Sequence, residues 1–211
     1  MRIKCSMITL MSSNVRFDYQ KATQAINFFA RKGSGLKINK MLVLKLIWAT
    51  DRYHLRKYGR PVIGDEYVAM SFGPVPSGVK DIAEGSGILA DEESTYSKEF
   101  IGLTDSYTIQ SRKEPDLDVF SDSDLEALEF AYKSFGADDK YVLVNVTHQY
   151  PEWKKFGAQI ESGQITRAFM DYSDFFLNPD ALAQDKFAMD MDLISQSRVV
   201  FEESAKLQSI I

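Results

Sequence analysis

Apolar side chains recur at three- and four-residue steps through Phe17–Lys32, where Tyr19, Ala22, Ile26 and Phe29 make a stripe that Ala25 and Phe28 widen. That spacing predicts an amphipathic helix, with Asp18 as its N-cap and Gly33-Ser34-Gly35 as its end. A second helix is predicted over Asn39–Tyr58, stopped by Gly59 and Pro61. It carries two seams: Met41, Leu44, Trp48, Leu55 and Tyr58, and Leu42, Leu46, Ala49 and Tyr53. Two seams on one helix mean burial on most sides of its first half, so this is the expected central helix, and Asp51 falls within the first seam as a buried or half-buried carboxylate. Ser121–Phe135 reads as a third helix, with Ser121 and Asp124 forming a capping box, Phe120 and Leu125 at the staple positions, and Leu125, Leu128, Tyr132 and Phe135 as the stripe.

Between these helices the period changes. Tyr67, Ala69 and Ser71 alternate with Val68, Met70 and Phe72, which suits a short strand. Gly73, Pro74 and Pro76 forbid a long one and predict a stiff loop over Phe72–Pro76, followed by a short helix from Ser77 to about Glu84. The irregular stretch Ile88–Arg112 holds a small hairpin, Phe100–Leu103 with Ser106–Gln110 around Thr104-Asp105. Asp139–Gln149 fits helix and strand, with helix preferred because it follows another helix after a short loop; Pro151 ends it. Asn178-Pro179-Asp180 predicts the start of a last helix running to about Leu207, with Leu182, Phe187, Met191, Ile194 and Phe201 apolar. The expected fold is mainly α: a compact helical domain with a small β-hairpin or short antiparallel sheet. The expected organisation is a loose extension over 1–16, a helical domain over 17–157 and a helical extension over 158–211 packed on it.

Composition narrows the function classes. The 211 residues are 45% hydrophobic and include 14 Phe, 10 Tyr and 2 Trp, enough for a sizeable core. The net charge of -5 argues against broad binding of a phosphate backbone, although Arg52, Arg56, Lys57 and Arg60 form a local basic cluster. A single cysteine, Cys5, rules out an internal disulfide and fits a reducing cytoplasm. No apolar run reaches membrane-spanning length, and Met1–Met11 does not read as a signal peptide, with Met7 or Met11 as alternative starts.

The chemistry-bearing motifs are few. Asp51 and His54 stand one helical turn apart and, with His148, would be the minimum for a metal-assisted hydrolase or nuclease; no further ligand pattern accompanies them. His148 precedes Pro151 at a helix end, where an imidazole can cap carbonyls. Gly33-Ser34-Gly35 lacks the rest of a phosphate-binding loop, and Gly64-Asp65-Glu66 reads as a solvated acidic turn. Phe72-Gly73-Pro74-Val75-Pro76 is either a rigid connector or a preorganised docking loop, which loses little entropy on binding.

The block Asp51-Arg-Tyr-His-Leu-Arg-Lys-Tyr-Gly-Arg-Pro-Val-Ile-Gly-Asp-Glu-Tyr-Val-Ala-Met-Ser-Phe-Gly-Pro-Val-Pro76 resembles the signature of the Panacea domain, found in SocA-like antitoxins and phage-associated GepA-like proteins. A second block resembles it in the same order: Leu125-Glu-Ala-Leu, Phe135-Gly136, Thr147-His148 and Pro151-Glu-Trp153. The resemblance spans about Tyr19 to Phe156 and implies a protein-binding antitoxin, not an enzyme, with no cofactor and no transferable catalytic residue. Its implied partners are a cognate toxin and, in the SocA branch, a Clp-type protease; a homo-oligomer stays open, and nucleic acid and membrane are not expected. The partner surface expected from the residues is Tyr67, Phe72, Gly73, Pro74, Val75 and Pro76, with Tyr53 and Arg60 at the end of the central helix. Asp51, His54, Gly59, Pro61, His148, Pro151 and Trp153 are expected to shape the motif. An operator-binding autoregulator is the remaining alternative, resting on the basic cluster.

Overall fold

A computed structural model describes residues 15–180 and 184–208. The expected N-terminal extension, with Cys5, therefore lies outside the described residues except for Val15 and Arg16, and so does Leu182. In chain order the elements are α1 (Tyr19–Lys32), β1 (Lys37–Asn39), α2 (Lys40–Tyr58), β2 (Tyr67–Met70), β3 (Gly73–Pro76), α3 (Ser77–Glu84), α4 (Asp91–Phe100), β4 (Ile101–Leu103), β5 (Thr108–Ser111), α5 (Asp122–Phe135), α6 (Lys140–Thr147), α7 (Pro151–Glu161), β6 (Ala168–Phe169) and α8 (Met191–Gln208). Short 3-10 turns lie at Ser34–Leu36, Leu117–Val119 and Tyr172–Phe176. The mainly α expectation holds, with two three-stranded antiparallel sheets ordered β1-β5-β4 and β3-β2-β6.

The helix ends follow local chemistry. Asp18 accepts the N–H groups of Gln20 and Lys21 to start α1, and Asn39 accepts those of Met41 and Leu42 to start α2. Ser121 and Asp124 close both halves of the capping box of α5. α2 is the axis of the core, packed by α5, α8, β3 and α6. Its middle is buried all round: Leu46, Ile47, Trp48 and Ala49 show no exposure. Trp48, Tyr150 and Phe187 meet at ring-centroid distances of 5.2–5.5 Å.

Three expectations are corrected. Phe72–Pro76 is not a loop: Gly73–Pro76 is strand β3, buried along its length and paired with β2 in the register Val68↔Val75 and Ala69↔Pro74. Its prolines are tolerated because β3 is an edge strand and their nitrogens face away from β2; the Pro74 carbonyl on that outer side accepts Lys45 Nζ instead, at 2.6 Å. The last helix does not start at Asn178-Pro179-Asp180. Asn178 Oδ1, the natural capping atom, accepts from Arg56 Nη2 at 2.6 Å, and α8 begins at Met191 behind Asp190, whose carboxylate accepts the Asp192 N–H. Residues Asp91–Phe100, within the stretch read as irregular, form α4; Ser97 alone in it is buried, so no apolar stripe announces it. The hairpin of that stretch is real, as β4 and β5.

Candidate functional site

α2 threads ionisable side chains through the core. Lys45, Asp51, Arg52, His54 and Arg56 are all buried. Such groups persist only when partnered, and each has a different set of partners. Asp51 accepts the N–H groups of Val62 and Ile63 at 2.8 and 3.0 Å and the Tyr67 hydroxyl at 3.0 Å, so it pins the segment after Gly59 and Pro61 to the helix. Burial pushes its carboxyl up to about 7 against the pull of those donors. Asp65 does the same one step on, accepting Gly78 and Val79 N–H at the start of α3. Gly59 adopts a left-handed φ of 71° as the C-cap of α2.

Arg52 donates to Glu152 Oε2 at 2.6 Å and to the Leu177 carbonyl at 2.7 Å, while Trp48 Nε1 donates to Glu152 Oε1 at 3.0 Å. Burial pushes Glu152 upward and the Arg52 charge opposes this. One turn on, Arg56 binds the carbonyls of Phe175, Phe176, Leu177 and Phe187. Two arginines thus hold residues 175–178 against α2. Burial lowers Arg56 to about 10, with the Arg52 charge adding to the effect. The expected basic cluster is therefore corrected: Arg52 and Arg56 face inward, and no continuous cationic face joins them to Lys57 and Arg60.

His54 Nδ1 lies 2.7 Å from the Arg60 carbonyl, which can only accept, so that nitrogen carries the proton and Nε2 accepts from Ser123 Oγ at 3.0 Å. Burial holds the ring at about 4, so it is neutral near pH 7, and its 3.4 Å approach to Asp124 is not an ion pair there. Asp124 is served by Lys21 and Arg60, at 2.7 and 2.8 Å. His148 does not cap carbonyls with its ring, which lies flat on Trp153 at 3.5 Å, and its Nε2 is buried without a partner. Asp51, His54 and His148 share no partner, and among the described residues no group of three or more His, Cys, Asp or Glu is placed to hold a metal ion.

The expected partner surface separates into two places. Tyr53 stacks on Phe130 at 4.0 Å and donates to Glu126, the carboxylate that also takes Lys57 and Tyr58; Arg60 reaches Asp124, Ser121 and Ser123. Both belong to the α2–α5 contact. The β2–β3 hairpin sits elsewhere, against α6 and α7. Tyr67, Gly73, Pro74, Val75 and Pro76 are buried, which corrects their expected role as contact residues, whereas Phe72 at the hairpin tip is 55% exposed. Gly73 has φ 90°, and a Cβ there would stand 2.4 Å from Thr147 Oγ1 and 3.3 Å from Lys45 Nζ. Trp153 Nε1 donates to the Met70 carbonyl at 2.9 Å. The hairpin is thus clamped on three sides and presents one aromatic ring. Beside it α6 exposes Tyr141 and Val142, and a groove of about 480 Å³ runs between α6 and α7, lined by residues including Asn145, His148, Trp153 and Gly157. The α6 part of this surface escaped sequence reading, because short apolar runs do not announce which face they bury.

Lys45 clamps the hairpin at an electrostatic cost. Burial lowers its ammonium to about 7. A lysine is protonated in the unfolded chain up to about 10.5, so between these values unfolding takes up a proton and stability rises with pH; below about 7 the full burial cost is present. From pH 7 to 10, denaturant unfolding should show the wild type gaining on Lys45→Met by up to ~1.4 kcal/mol per pH unit. Parallel pH profiles for the two proteins would show that the lysine keeps its charge in the fold.

A mainly helical scaffold, braced by a buried ion network on α2 and presenting a clamped hairpin, is the class of protein that this geometry defines. Residues 43–154, more than half of the chain, match the family model described as antitoxin SocA-like, Panacea domain; the chain belongs to that family. The match runs from α2 to α7 and takes in both the ion network's Glu152 and the β2–β3 hairpin. No curated protein and no solved structure matches the chain.

Proposed function

We propose that this protein is an antitoxin that neutralises a cognate toxin by binding it directly, without catalysing a reaction, and that Phe72 with the adjoining α6–α7 surface makes the contact. Membership of an antitoxin-like family supports the role. The observation that carries the surface is an exposed aromatic ring on a hairpin that Lys45 and Trp153 fasten by hydrogen bonds to the Pro74 and Met70 carbonyls. Large aromatic side chains anchor interfaces, and a hairpin backbone already held in place loses little entropy on docking.

The test is co-expression with the product of the adjacent gene. Relief of growth arrest together with co-purification is the expected result; a neighbour that is harmless alone, or toxic but neither bound nor relieved, overturns the reading. The SocA-like assignment supports delivery of the captured toxin to a Clp-type protease as the finer step. A toxin half-life shortened by the antitoxin in cells, and restored when the protease is removed, is expected of delivery; an unchanged half-life assigns neutralisation to blocking alone.

A further inference from the structure

Charge is divided unevenly along this chain. Between Asp81 and Asp139 it carries sixteen carboxylates and four lysines or arginines, so this stretch is strongly acidic while the remainder is net basic. The fold gathers much of the acidic stretch on one side of α1. Gln24 of α1 ties two parts of it together, donating to Tyr96 of α4 at 2.8 Å and accepting the Asp116 N–H at 3.0 Å; Asn27, one turn on, donates to the Lys113 carbonyl at 3.1 Å. α4, the β4–β5 hairpin and the strap 113–118 therefore form one continuous layer over α1. Asp91, Glu92, Glu99, Asp105, Glu114, Asp116 and Asp118 on this layer are exposed. Lys113 and Arg31 offset Glu99 and Glu114, and Lys98 and Arg112 are exposed in the same layer, so eight carboxylates stand against four cations and the layer stays net negative.

One further feature says what the layer fits. Large apolar side chains stand in the layer, Tyr107 at 72% exposure, Leu103 at 46% and Leu117 at 40%, and Ile88, just before α4, is 78% exposed. They offer a partner apolar positions to cover beside the charges. Lysine and arginine side chains are all donors and no acceptors, so a cationic segment complements the exposed carboxylates of the layer in charge and in hydrogen bonding, and its aliphatic stems suit the apolar positions. A polyanion is repelled.

We propose that the layer formed by α4, the β4–β5 hairpin and residues 113–118 is a docking surface for a lysine- and arginine-rich segment of a protein partner, separate from the Phe72 surface. Opposite charge across such a face raises the association rate and selects the partner, and salt weakens it.

The probe is a ten-residue peptide of alternating lysine and leucine, titrated into the isotopically labelled full chain, with calcium chloride and the corresponding glutamate–leucine peptide as controls. Amide shifts confined to α4, β4–β5 and 113–118 are expected, with affinity at least about ten-fold weaker in 300 mM than in 50 mM salt. The variant D91N/E92Q/E99Q/E114Q/D118N should lose about ten-fold in affinity while keeping its melting temperature, because its ion pairs are exposed and contribute little. Phe72→Ala should bind the peptide as the wild type does. Shifts scattered over the whole surface, equal binding by the neutralised variant, or the same shifts produced by calcium alone overturn the proposal. None of these outcomes depends on whether the adjacent gene encodes a toxin.

Discussion

Glu152→Ala should lower the stability of this protein by about 3–5 kcal/mol. The carboxylate is fully buried and takes both Arg52 Nη1 and Trp48 Nε1. Its removal strands a guanidinium in the core, stacked over Tyr150 with its carbon 4.4 Å from the ring centroid, and leaves an indole donor without an acceptor. For a chain of this length the loss corresponds to a fall in melting temperature of roughly 10 °C. Glu152→Gln keeps an acceptor for Trp48 and loses only the charge, so it should lie between the two. Arg52→Met combined with Glu152→Leu should recover much of the loss, since an apolar pair of similar volume removes both buried charges together. Thermal melts of these variants, read as a double-mutant cycle, decide it. A Glu152→Ala protein that melts within about 1 kcal/mol of wild type would mean that Arg52 finds water or another acceptor.

Phe72→Ala should leave the melt unchanged and weaken capture of the partner by about thirty-fold, the effect of losing an interface anchor of about 2 kcal/mol. The ring is more exposed than buried, so its truncation opens no cavity. Capture measured by titration calorimetry against the co-purified neighbour, beside a melt of each variant, separates contact from folding. Tyr53→Phe is the useful contrast: it loses only the hydroxyl that meets Glu126 in the α2–α5 contact and should not alter capture. If Tyr53→Phe weakens binding and Phe72→Ala does not, the partner sits over α2 and α5.

Much of the fold follows from local pattern. α1, α2 and α5 lie where three- and four-residue periodicity, caps and glycine stops put them; α3 lies where a short helix is expected after the Gly/Pro stretch, and α6 resolves as helix a stretch whose pattern also fits a strand. α4 does not, because a helix that buries one serine shows no stripe; nor does the start of α8, because Arg56 takes the oxygen that would have capped it. The signature Gly-Arg-Pro segment and the hairpin motif were legible as a motif, and the family match covers both.

By itself, then, the sequence determined a mainly helical chain with a central α2, an acidic balance and the motif of an antitoxin-like family. Only the tertiary structure decided which charges face inward and which ring faces out. Lys45, Arg52 and Arg56 have acceptors only because residues far along the chain, Pro74, Glu152 and the 175–178 segment, fold back onto α2. Pro74 and Val75 are buried, and Phe72 is not, for the same reason: β3 pairs with β2 and packs against α2 and α6, and the turn that joins the strands has nowhere to go but outward. Hydrogen-bond partners separated by scores of residues leave no periodicity in a sequence, whereas caps and apolar stripes do.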